Sequence, residues 1–247
     1  MNDTTAPAQN ALLARLAVVA DLEATSEVLY WDQATYMPPR GGAARGRQLA
    51  TLARLAHERF TDPAIGKLLD DLQPYAESLP VEHDDAALWR VTRRQYERAT
   101  RLPADFMARI AAHGAESYAI WTNARPADDF ARVVPILEET LRLSRQYAGY
   151  FPDVAHPADA LIAGLDPDMT VAQIRPIFDE LAAALAPMVQ AVSRQTPVDD
   201  EMLQRMYPLD PQRKFGEEVI RAFGYDFERG RQDLSPHPFS IAFSIND

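Results

Sequence analysis

Between Leu12 and Phe223, apolar residues return every three or four positions, and prolines and glycines interrupt the pattern at intervals of about one helix. A chain patterned in this way buries its apolar stripes by packing helix on helix, so the period confines the fold to the mainly α class. Leu12, Leu16, Val19 and Leu22 form the first stripe. Its helix is expected to reach Trp31 and to stop at Met37-Pro38-Pro39, because the residue before a proline is forced out of the helical region. Leu49, Leu52, Leu55 and Phe60 mark a second helix. A third opens at Thr61-Asp62-Pro63, with Asp62 as N-cap and Pro63 at the first helical position. Further helices are expected over 84–100, 104–121 and 128–150, then from the cap Thr170 to about Ser193, and from Asp210-Pro211 to Phe223 before Gly224.

The last thirteen residues change period. Phe239, Ile241, Phe243 and Ile245 alternate with Ser240, Ala242, Ser244 and Asn246, which predicts a β-strand. No other segment alternates as cleanly, so the strand lacks a sheet partner within this sequence. Its backbone donors and acceptors call for a neighbour from further along a longer ancestor or from another chain.

Composition removes several classes of function. The 247 residues carry 25 basic and 36 acidic side chains, a net charge of −11, and no basic run stands against it. Such a surface offers no footprint for a phosphate backbone or an anionic membrane, so neither nucleic acid nor membrane is expected as a partner. The absence of cysteine excludes disulfides, thiolate catalysis and every cysteine-ligated metal. Leu16 to Ala20 is too short an apolar run for a signal peptide or a membrane span, and the expected location is cytoplasmic.

The five histidines, His57, His83, His113, His156 and His237, are 26, 30, 43 and 81 positions apart, so no pair has the three- or four-residue spacing of a helical metal site. His57-Glu58 begins like H-E-x-x-H, but Thr61 stands where the second ligand belongs, and a solvated surface pair is expected. The doublets Asp70-Asp71, Asp84-Asp85, Asp128-Asp129 and Glu138-Glu139 place their members on different helix faces or at caps. Two clusters carry more information. Trp31-Asp32-Gln33-Ala34-Thr35-Tyr36 sets aromatics, a carboxylate and an amide just before a helix stop, as a packed turn or as a site. At Pro236-His237-Pro238 the flanking prolines hold the backbone extended, presenting the imidazole to a substrate or linking it to a carbonyl.

These segments resemble the carboxypeptidase Taq family of zinc metallocarboxypeptidases. Trp31-Asp32-Gln33 with Thr35, Met37 and Pro38 is similar to its W-D-Q-x-T-x-M-P stretch. Gln48 to Ala53, Tyr96 to Pro103, Gly224-Tyr225-Asp226 and Gly230-Arg231 are similar to further segments in the same order, and His237-Pro238-Phe239 resembles its H-P-F motif. Asp247 falls where the family's D-x-R-x-T motif begins. The resemblance covers residues 10 to 247. It implies a helical zincin-like metallopeptidase, usually homodimeric, that removes single residues from peptide C-termini. In such an enzyme, zinc is held by the two histidines of H-E-x-x-H and a later Glu, and the motif's own Glu acts as general base.

None of those metal ligands occurs in this sequence, so zinc is expected only for a full-length family member and no metal ligand is named here. His237 and Asp247 alone carry over, as substrate-orienting residues. The expected organisation is a flexible N-terminus over 1–9, the helical N-terminal body of the carboxypeptidase over 10–234, and the start of the active-site strand region over 235–247. On this reading the chain is a truncated N-terminal half, inactive alone. The alternative is a non-catalytic interaction protein that pairs with a full-length homologue or a separate C-terminal half.

Overall fold

The computed structural model describes residues 5–242, which form ten α-helices and no β-strand. The chain divides into two compact units, residues 1–161 with 235–247 and residues 162–234.

In the first unit, α1 (Thr5–Thr35), α2 (Gly42–Phe60), α3 (Pro63–Glu77), α4 (Asp84–Ala99), α5 (Ala104–Ala124) and α6 (Val134–Gly149) follow one another through short turns. α1 begins at Thr5, inside the segment 1–9 expected to be flexible. The helix starts follow local chemistry. The Asp62 carboxylate accepts from the Ala64 amide at 2.8 Å, satisfying an N–H that the first turn of α3 leaves unpaired. The His83 ring does the same for Asp85 in α4.

α6 starts later than the expected Asp128, because Asp128 takes the left-handed conformation (φ 52°) and breaks the chain into two short 3-10 turns. Two apolar clusters organise this unit. Leu12, Ile65, Leu69 and Leu72 bind α1 to α3, with Trp89 and Tyr96 of α4 packed against them. Gly66 permits that approach, since a Cβ there would stand 2.7 Å from the Tyr96 hydroxyl. Leu102, Phe106, Leu143, Ala148, Phe151 and Ala160 form the second cluster between α5 and α6.

α7 (Pro157–Leu165) starts in the first unit and ends in the second. It lies beyond the helices read from periodicity, although Pro157 at its start and the Asp159 carboxylate accepting from the His156 amide are ordinary start signals. The second unit continues with α8 (Val171–Ser193), α9 (Glu201–Gln204) and α10 (Leu209–Ala222). Thr170 caps α8 by accepting from the Gln173 amide, and Gly224 closes α10 at φ 90°. No residue of 162–234 is buried.

The expected terminal strand is not present over Phe239–Ala242, and 243–247 lie outside the described residues. The alternation is nonetheless real: Phe239 and Ile241 are half-buried, while Ser240 and Ala242 are exposed. An extended segment with one face against a helical body shows period two without any ladder of backbone hydrogen bonds, so alternation alone does not make a strand.

Candidate functional site

The segment His237-Pro238-Phe239 is held against α1 and α5 by rings. Phe239 meets Tyr30 edge-on at 5.6 Å, Tyr30 meets Tyr118 at 5.9 Å, Tyr118 lies 6.0 Å from Trp121, and Trp121 meets the His237 imidazole edge-on at 5.9 Å. The Arg125 guanidinium covers Trp121 at 5.2 Å. Edge-to-face rings prefer this geometry, and the chain of them fixes both ends of the motif. Tyr118 and Trp121 sit three residues apart on α5, the spacing that puts two side chains on one helix face. Nothing in the sequence links them to Tyr30 or His237, which are distant in the chain.

His237 Nδ1 lies 2.8 Å from the Pro238 carbonyl oxygen. A carbonyl can only accept, so Nδ1 carries the proton and Nε2 is the nitrogen left to meet a ligand. The two sequence readings of this histidine are therefore combined, with one nitrogen tied to a carbonyl and the exposed ring still presented. Asp247, the other expected substrate-orienting residue, lies outside the described residues.

The Trp31–Thr35 cluster holds helices together. Asp32 pairs with Arg45 of α2 at 2.5 Å, and the same guanidinium donates to the Leu29 carbonyl. The buried Gln33 donates from Nε2 to the Ala115 carbonyl of α5 at 3.1 Å. Gly42 and Gly46 of α2 face Ala119 and Ala115 of α5, so small residues at matched four-residue spacing let these backbones approach. The four-residue spacing shared by Gly42 and Gly46 and by Ala115 and Ala119 is the sequence signal of this close approach.

Two cavities of about 600 Å³ each adjoin the aromatic cluster. One, largely apolar, is lined by Tyr30, Tyr118, Trp121, Leu49, Ile136 and Leu137. The Tyr118 hydroxyl is buried with no hydrogen-bond partner among the described residues, and that burial, followed by the nearby Tyr30, raises its pKa.

The other cavity lies between Glu23 and Glu27 of α1 and Ser240–Ala242. Burial, and then the Glu27 charge, raise the Glu23 carboxyl above its usual 4.5. In the window above that value the native state holds a proton that the unfolded state has released, so native stability falls as pH rises through it. Glu23→Gln is therefore expected to stabilise the protein at neutral pH by on the order of 0.5 kcal/mol, after allowance for screening of a half-exposed group. The difference should close below the ordinary carboxylate range. Urea midpoints measured at both pH values check this, and an equal gain at both would assign the effect to packing.

The remaining histidines have structural partners. His57 Nε2 donates to the Leu102 carbonyl at 2.6 Å, while Glu58 pairs with Arg54. His113 bonds Thr140 across α5 and α6, and His156 accepts from the Ala158 amide at the start of α7. Among the described residues, no group of three or more histidine or carboxylate side chains is placed to hold a metal ion, so they do not fit a zinc centre. Among the same residues no helix is long and apolar enough to cross a membrane.

Residues 11–247 match the family model described as carboxypeptidase Taq (M32) metallopeptidase. The chain is 36% identical over 232 residues to thermostable carboxypeptidase 1 of Thermus thermophilus, covering 88% of this chain and 44% of that protein. The crystal structure of the M32 carboxypeptidase from Deinococcus radiodurans R1 aligns with a TM-score of 0.74 at 42% identity, over 96% of this chain and 47% of the other. A solved structure of BsuCP gives a TM-score of 0.88 at 22% identity, over 96% and 48%, a likeness of fold. The chain spans about half the length of the curated relatives it matches.

Proposed function

Because the chain belongs to the carboxypeptidase Taq (M32) metallopeptidase family, we propose that it supplies the helical, substrate-orienting part of a metallocarboxypeptidase that releases C-terminal residues from peptides. The observation that carries this reading is the ring-clamped His237, a solvent-facing imidazole with its tautomer set, in a chain matched along nearly its whole length by a peptidase family. Neutral Nε2 accepts from a peptide N–H, and the protonated ring donates to a C-terminal carboxylate. Asp247 is assigned to the same orienting role. Any zinc ligands and general base would come from residues other than the described ones.

The 247-residue polypeptide, purified alone, is expected to release no amino acid from a peptide and to bind no stoichiometric zinc. Release of C-terminal residues that a chelator abolishes would overturn that expectation. Orientation is tested separately by ¹⁵N NMR of the imidazoles. The Nδ1–H tautomer of His237 should be observed, with Nε2 shifting when an N-acylated dipeptide is added. The opposite tautomer, or no response at His237, would remove the orienting role.

A further inference from the structure

The apolar cavity of about 600 Å³ beside the aromatic cluster has the size of a ligand site, which runs from roughly 300 to 1,000 Å³. Four helices of the first unit shape it. Tyr30 comes from α1, Leu49 from α2, Tyr118 and Trp121 from α5, and Leu137 from α6. Small residues of α5 keep it open, and a Cβ added at Gly114 would meet no atom within 4 Å. The two serines in its wall are satisfied locally: Ser26 donates to the Leu22 carbonyl at 3.1 Å, and Ser117 bonds the His113 ring at 3.3 Å. The Tyr118 hydroxyl differs, since it is buried with no partner among the described residues. A hydroxyl that has lost water without a replacement costs free energy, so a ligand that supplies the missing hydrogen bond is favoured there. A phenol does so, and its ring packs edge-on against Tyr30, Tyr118 and Trp121 as these rings pack on one another.

Charge sets the direction of the occupant. Glu27 is the charged side chain of the lining, and it also borders the second cavity together with Glu23. At Trp121 the sign reverses, with the Arg125 guanidinium over the ring at 5.2 Å and the His237 imidazole at its edge at 5.9 Å. A carboxylate is repelled by Glu27 and drawn to Arg125 and His237, so a peptide places its C-terminus at His237 and an earlier residue in the cavity. An extended chain advances about 3.3 Å per residue, which leaves the residue before the last within a side chain's reach of it.

We propose that this cavity is the subsite for the penultimate residue of a peptide, and that it selects tyrosine there through the Tyr118 hydroxyl. The proposal rests on the reading of His237 as the group that orients the peptide C-terminus.

The test titrates the purified chain by calorimetry with N-acetyl-tyrosyl-glycine and N-acetyl-phenylalanyl-glycine. The tyrosyl probe should bind about tenfold more tightly, because its hydroxyl pairs with one otherwise buried alone. Tyr118→Phe should bring that ratio to about one and leave affinity for the phenylalanyl probe within about twofold. Gly114→Leu puts a side chain into open space and favours the helix, so it should weaken both probes by at least about tenfold while the urea midpoint holds or rises. Equal binding of the two probes, a preference that survives Tyr118→Phe, or parental affinity in Gly114→Leu would overturn the proposal. So would self-association of the chain that Gly114→Leu abolishes, which would give the cavity to a second copy. N-acetyltyrosinamide, which lacks the carboxylate, separates the two readings. If it binds in a Tyr118-dependent way while His237 Nε2 stays silent toward the tyrosyl dipeptide, the orienting role fails and the tyrosine site stands. If Nε2 responds alike to both dipeptides and their affinities are equal, the subsite fails and the orienting role stands.

Discussion

Replacing Leu69 by alanine is expected to lower the stability of the isolated chain by about 3 kcal/mol, within the range for deleting a buried leucine side chain. Ile65 and Leu69 are the only large side chains below 2% exposure among the described residues, and they pack with Leu12 and Leu72 where α1, α3 and α4 meet. Trp89 packs against this cluster and donates its indole N–H to the Leu69 carbonyl at 2.8 Å, so its fluorescence reports the transition. Leu203→Ala, at a side chain 72% exposed, should change the same midpoint by no more than about 0.5 kcal/mol. Equal losses at the two positions would mean that the α1–α3 cluster is not the stabilising core.

In an assembled, active enzyme, His237→Ala is expected to lower kcat/KM by about a hundredfold, because a hydrogen bond to a charged or reacting group contributes roughly 1.5–3 kcal/mol. The imidazole is exposed and its anchor is local, so the urea midpoint should stay within about 0.5 kcal/mol of the parent. This separates loss of orientation from loss of fold. Trp121→Phe keeps an edge-on ring beside His237 and should cost less than about tenfold. Turnover by His237→Ala at the parental rate would make the histidine a purely structural link between Pro238 and Trp121.

Several helices are legible because their starts carry their own chemistry. Asp62 and Pro63 announce α3, and Thr170 announces α8, through groups within three residues of the helix they begin. α6 was misplaced because the φ 52° turn at Asp128 is a backbone state that a weak apolar period does not reveal. At the C-terminal end, the alternation of Phe239 to Ala242 belongs to an extended segment that is not a strand over those residues. Period two reports one face in contact, and whether that contact is a ladder or a ring packed on Tyr30 depends on what lies opposite.

The candidate site divides in the same way. His237 was visible from its two prolines and its likeness to a family motif, since both are properties of neighbouring residues. Its tautomer was not, nor was the series Tyr30, Tyr118, Trp121 that holds the motif at both ends. His57-Glu58, which most resembled a metal motif, proved to be a tie to the Leu102 carbonyl beside an ion pair on the same helix.

The sequence by itself determined the helical class, most helix ends, the acidic character and the family, because periodicity, caps, charge and motif order are local or additive along a chain. Only the tertiary structure decided which side chains meet His237, which glycines face alanines, and that α8 to α10 carry no buried residue. Contacts between residues nearly a hundred positions apart are set by how helices pack, and no local period records whether a stripe has found its partner.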